Sequence, residues 1–289
     1  MAELAADGVM SSRPRHRSRI RPTLVVGALV LLAIVVVAAI APLIAPYPYD
    51  EMSILSRLKP PSLEHWFGTD EYGRDVLSRT LIGARPTLLM GFGATALSLL
   101  VGVPLGLMAG YRRGRIDETI MRAMDVLMSF PPILLGLLVL AVTAPALWKA
   151  MLAVGIVYVP SIVRLARSVT LEIAQEEFIL AAQARGDSAL RILWAEILPN
   201  AWPPIAVEGS LRVTFAILLG AALSFLGLGA QPPSSDWGLM ISEARAFIEK
   251  APWITLAPGL LMCITVIAVN LLGDGLREVL DPRMRLSRA

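Results

Sequence analysis

Three carboxylates, Asp70, Glu71 and Asp75, lie in one short stretch of the chain. Acidic groups so close together can act as a general acid and base, or hold a divalent cation. Arg74 and Arg79 stand beside them, and no group of histidines accompanies them. The stretch therefore reads as a solvated interfacial segment that pairs its own charges. His16 and His65 are far apart and Cys263 is the single cysteine, so no zinc site of histidine and cysteine ligands is expected, and no intrachain disulfide can form. Phosphate binding by a P-loop needs a glycine directly before the lysine. Lys59, Lys149 and Lys250 follow Leu58, Trp148 and Glu249. The expectation is a chain without catalytic residues, resident metal or bound cofactor, whose energy source lies elsewhere.

The elements that carry these residues are apolar. The chain has 289 residues, of which 56% are hydrophobic and 17% charged, against roughly 25% charged in a typical soluble domain. Its mean hydropathy is +0.66. A hydrocarbon core of ~30 Å needs about 20 apolar residues in helix, and blocks of that length recur. An all-α integral membrane protein with about six transmembrane helices is expected, with spans near 24–44, 86–110, 126–144, 147–165, 205–228 and 252–273. Residues 1–22 form an N-terminal tail and 23–289 a single transmembrane domain. The first block follows Arg13, Arg15, Arg17, Arg19 and Arg21, but is too long for the apolar part of a signal peptide and reads as an uncleaved span. With six spans and a cytoplasmic N-terminus, about two-thirds of the lysines and arginines fall on the cytoplasmic side. Both termini are then cytoplasmic.

Three features inside or between the spans stand out. Gly102, Gly106 and Gly110 share one helix face, a spacing suited to close packing of helix backbones, or to a hinge near Pro104. Glu208 and Arg212 sit at i,i+4 in or beside the fifth span, where each partly neutralises the other; a cytoplasmic-side gate or substrate contact is the alternative. The segment 231–236 reads as an ordinary extracellular turn.

The cytoplasmic segment 164–200 is not a simple tether. It reads as two short helices broken at Gly186-Asp187, with glycine ending the first and Asp187 able to cap the second. Leu190, Leu193, Trp194 and Ile197 make one face of the second; Phe178, Ala181, Ala182 and Arg185 share a face of the first, whose small residues permit close packing by another protein. The pattern alone fits either an amphipathic pair lying on the membrane or a docking element.

The order of residues from Glu177 to Gly186, followed by Ile197-Leu198-Pro199-Asn200, resembles the EAA loop of ATP-binding-cassette (ABC) importer permeases, with Glu196 standing where that pattern has an aliphatic residue. The run from His65 to Asp75 resembles the stretch before the second helix in dipeptide/oligopeptide/nickel permeases. Leu223 to Gly229 with Trp237-Gly238, and Asn270 to Arg277 with Leu280-Asp281-Pro282-Arg283, resemble two further motifs of that family. The resemblance covers about residues 24–285 and suits the second, C-type permease subunit. It implies a type I importer fold with a cytoplasmic coupling helix between helices four and five, carried by Glu177, Ala181, Ala182, Gly186, Ile197, Leu198 and Pro199. It further implies a homologous second permease, two ABC ATPase subunits (or one fused) holding ATP and magnesium, and an extracytoplasmic solute-binding protein. The site would be the bacterial cytoplasmic membrane, with the lipid bilayer and no nucleic acid among the contacts. Peptides are the expected solute, with nickel chelates or glutathione-like molecules as alternatives. An ion-coupled secondary transporter would carry ionisable groups at the bilayer midplane and inverted repeats. The spans here are nearly free of charge and show no such repeat.

Overall fold

The computed structural model describes residues 22–141 and 144–280. The arginine-rich tail and Asp281-Pro282-Arg283 lie outside the described residues. Among those described, every extended element is a helix, and the only bridge is an isolated one between Thr69 and Asp75. Five helices are long and apolar enough to cross a membrane, or six if one bent pair counts as a span.

α1 (Pro22–Ile44) contains no charged residue. It leaves Leu29, Leu32 and Leu43 exposed, a surface suited to lipid. Its inner side packs on α10 (Trp253–Leu280) through reciprocal glycines. A Cβ on Gly27 would lie 2.6 Å from the Leu272 backbone, and one on Gly275 would lie 2.5 Å from Leu24 Cβ.

α2 (Val76–Arg112) begins well before the expected onset at 86. Asp75 caps it, accepting from the Ser78 N–H at 2.8 Å. The charges that argued against helix here are satisfied within the fold. Arg79 reaches the Asp70 carboxylate, and Arg85 donates to the Ala38 and Ala39 carbonyls near the end of α1, each at 2.5 Å.

The region of the expected third span at 126–144 is a bent pair of helices. α3 (Gly114–Met128) and α4 (Pro132–Leu140) meet at Pro131-Pro132 with a 91° bend. Proline lacks the N–H that a continuing helix needs, and the residue before it avoids helical backbone. α5 (Leu147–Ile173) outruns its expected end at 165 because its arginines are paired: Arg164 with Asp125 at 2.6 Å and Arg167 with Asp117 at 2.5 and 2.6 Å.

α2 and α5 approach closely along the glycine face. Cβ atoms on Gly102, Gly106 and Gly110 would meet Ile162, Ala166 and Thr170 at 2.7, 2.5 and 2.7 Å. After α6 (Glu177–Ala184), α7 (Ala189–Arg191) runs through a π-helical turn (Ile192–Ile197) into α8 (Leu198–Phe225). The result is one helix from Ala189 to Phe225, so the second loop helix and the fifth span expected at 205–228 are continuous. α8 is the central element, touching α2, α4, α5, α10 and the short α9 (Trp237–Ala244).

Candidate functional site

The loop between α5 and α8 is built by its backbone. Gly186 adopts φ +79°, the left-handed region that glycine enters without steric cost. This lets the Gly186 N–H donate to the Gln183 carbonyl at 2.9 Å and the Asp187 N–H to the Ala182 carbonyl at 3.1 Å, the paired bonds of a Schellman ending. The second helix is capped by Ser188, which accepts from the Arg191 N–H at 3.3 Å, and not by Asp187. Asp187 instead pairs with Arg185 at 3.0 Å and Arg191 at 3.7 Å.

The two faces of this loop differ from the expectation. Ala182 does not face outward with Phe178 and Ala181; it is fully buried, as are Ile179 and Ile197. All three join Val103, Leu107, Ile162 and Ala166 in one core beneath the loop. The physical reason is the i,i+3 pair Ile179 and Ala182, which gives α6 an inner apolar face that packs on its own chain. Outside remain Phe178 at 41% exposure, Leu180 at 54%, Leu190 at 67% and Trp194 at 49%. Glu177, Ala181 and Pro199 are exposed and Leu198 is half-buried. Beside α6, Tyr111, Arg112, Arg113, Ala174, Gln175, Leu180 and Gln183 line an open cleft of about 590 Å³. The Asp117–Arg167 pair anchors α3 to α5 nearby, and hydrogen bonds from Arg167 hold the Asp117 carboxyl below its ordinary value of 3.8.

On α8, Glu208 and Arg212 form an ion pair. Arg212 Nε and Nη2 approach one carboxylate oxygen at 2.6 and 2.5 Å. The guanidinium also lies 5.5 Å from the ring centroids of Tyr158 and Phe215.

At the other end of the bundle, the acidic stretch is not solvated, which corrects the expectation. Asp70, Arg74 and Arg79 are each 1% exposed. Asp70 receives Arg74 Nε at 2.6 Å and Arg79 Nη1 at 2.5 Å, while Glu243 receives both arginines at 3.0 and 3.1 Å. His65 Nδ1 lies 2.9 Å from Asp75. The carboxylates are occupied by guanidinium groups and backbone N–H groups, an arrangement that ties the start of α2 to α9. Asp236, also buried, accepts from the Leu239 N–H at 3.1 Å and caps α9. Burial pushes the Asp236 and Glu71 carboxyls above their ordinary values. Glu243, which meets Arg74, and Asp236, which meets Thr87 of α2, were missed as members of this collar. Each lies over 140 residues from its partner, and no local spacing signals such a partnership.

The chain is thus a bundle of helices long and apolar enough to cross a membrane, with a structured loop between α5 and α8. Its fold matches that of an inward-facing MetNI methionine ABC transporter structure with a TM-score of 0.61, over 71% of this chain and 97% of that one. At 19% identity this likeness is one of fold. Residues 102–286 match the family described as "Binding-protein-dependent transport system inner membrane component", and residues 16–61 match "N-terminal TM domain of oligopeptide transport permease C". The chain is 45% identical to the dipeptide transport system permease protein DppC of Alkalihalophilus pseudofirmus, over 90% of this chain and 86% of that protein. It is 41% identical to the di/tripeptide transport system permease protein DppC of Pseudomonas aeruginosa, over 90% and 88%. It is 38% identical to the oligopeptide transport system permease protein OppC of Bacillus subtilis, over 93% and 88%. The chain belongs to the family of inner-membrane components of binding-protein-dependent transport systems. It is a multi-pass membrane permease of the ABC importer type.

Proposed function

We propose that this permease carries small peptides inward as part of a complex with a homologous second permease, two ABC ATPase subunits (or one fused) and an extracytoplasmic binding protein. Both termini face the cytoplasm. The chain itself binds no cofactor and supplies no catalytic group; ATP and magnesium belong to the ATPase subunits. The peptide reading is supported by the transport systems named for its relatives.

One observation carries the coupling role: an outward apolar surface of Phe178, Leu180, Leu190 and Trp194 on a loop beyond the spans. An ATPase groove would cover that surface. Glu177, Ala181, Leu198 and Pro199 flank or share it, while Ala182, Gly186 and Ile197 hold its shape from within. A push on α6 reaches α2 and α5 through the core around Ile179, and reaches α8 without interruption because α7 is continuous with it. Rigid elements of this kind can pass the two states of an ATPase dimer to the spans.

The test is uptake into vesicles by the reconstituted complex, with peptide-stimulated ATP hydrolysis measured alongside. Stimulation by nickel chelates or glutathione but not by peptides would refute the solute. Uptake driven by an ion gradient without ATP would refute the coupling.

A further inference from the structure

Glu208 and Arg212 occupy an unusual place for charge. Both lie within the fifth span expected at 205–228, on the continuous helix from Ala189 to Phe225. Their side chains are 20% and 21% exposed. The opening is a stripe of α8 that no other described helix covers, where Phe215 is 48% and Leu218 44% exposed. The exposed stripe of α10 is different: Leu256, Leu260, Ile264 and Ile267 carry no charge and suit lipid. Charged groups inside a membrane span are costly against lipid and are found facing bundle interiors or water-filled paths. The pair therefore argues against lipid on this stripe, and its unused valences favour a water-filled path over a seam with the second permease.

The pair also presents unused valences. Arg212 spends Nε and Nη2 on a single oxygen of Glu208. Its Nη1 and the second oxygen of Glu208 have no hydrogen-bond partner among the described residues. Tyr158 fixes the site from behind: its hydroxyl donates to the Phe215 carbonyl at 3.1 Å and its ring lies beside the guanidinium. A held donor next to a held acceptor matches a dipolar solute.

Resting on the peptide-permease reading, we propose that Glu208 and Arg212 form a contact station for peptides in transit. Arg212 Nη1 donates to the solute carboxylate, and the free Glu208 oxygen accepts from a solute N–H. The station makes Arg212 a specificity-determining residue for a free C-terminus.

The test uses the whole complex in proteoliposomes and compares uptake of dialanine with dialanine amide. In Glu208→Gln/Arg212→Gln, which avoids an orphaned charge, the KM for dialanine should rise about 10- to 100-fold, the worth of a hydrogen bond to a charged group. The amide should change far less, so that the preference for the free acid collapses. Arg212→Lys should restore much of that preference. An equal loss for both solutes through Vmax alone, or no loss for either, would overturn the proposal. A second readout is independent of the solute: in a Cys263→Ser background, Leu218→Cys should react with a hydrophilic maleimide and Leu260→Cys should not. Normal peptide uptake with an unreactive Leu218→Cys would sink the station alone. A native complex that takes up neither peptide refutes the peptide reading itself, and with it the solute named for the station.

Discussion

Replacing Asp70 by alanine gives the largest stability effect that the collar geometry allows. The Asp70 carboxylate accepts from Arg74 Nε, Arg79 Nη1 and the backbone N–H groups of Tyr72 and Arg74, all within 2.9 Å. Both arginines are 1% exposed, so water cannot take over these bonds without opening the fold. Glu243 remains as a shared partner and Glu71 lies 3.6 Å from Arg74, but Arg79 is then left with Glu243 alone. Removing one member of a buried pair typically costs about 3–5 kcal/mol. Asp70→Ala should fall in that range, whereas Glu243→Gln should cost less because Glu243 is partly solvated and Asp70 still binds both arginines. The assay is denaturant unfolding of the purified protein in nanodiscs, with buried Trp237, whose indole N–H donates to the Thr80 carbonyl at 2.9 Å, as a local reporter. A loss under about 1 kcal/mol, the range of exposed pairs, would mean that the cluster is hydrated and the reasoning fails.

Gly106→Val would press a branched side chain against Ala166 and the Val163 carbonyl, where a Cβ already comes within 2.5 and 2.6 Å; α2 and α5 should separate, with a marked drop in folded yield on size exclusion. Gly186→Val meets open space but must adopt φ +79°, so insertion should persist while ATP hydrolysis loses its response to substrate in the assembled complex. Asp117 has a lowered carboxyl value, so its contribution is complete above 3.8 and disappears as pH falls through the lower folded value; Asp117→Asn should be less stable than the native protein at pH 7, with the gap closing in acid, as followed by thermal melts. Reporter fusions at Ser188 and Ser62 should read cytoplasm and exterior respectively; the reverse would invert the orientation.

The apolar blocks made the number and rough place of the spans legible, because lipid imposes length and composition directly. Helix ends were less legible where charge was involved. Arg79 and Arg85 read as a polar boundary, although one is neutralised by Asp70 and the other caps carbonyls of α1. Asp75 followed by Val76-Leu77 was the available signal of a helix start. In the loop, the break at Gly186 follows from residue type, but the inward turn of Ala182 does not. A small residue on a helix face serves packing within a chain as well as between chains, and spacing cannot separate the two. The collar was legible only as self-pairing. Its burial depends on Glu243 and Trp237, which folding alone brings near.

The most direct measurement of ATPase coupling through the loop is paired uptake and hydrolysis by a complex carrying Phe178→Asp. Phe178 is 41% exposed and outside the core beneath the loop, so the substitution leaves the chain's own packing in place. Charge placed in an apolar groove is costly to bury. The permease pair should still assemble in the membrane, while ATP-driven peptide uptake falls by about tenfold or more, as a loss of 1.4 kcal/mol in docking would produce. Native uptake together with native substrate-stimulated hydrolysis would show that the ATPase does not act through this surface.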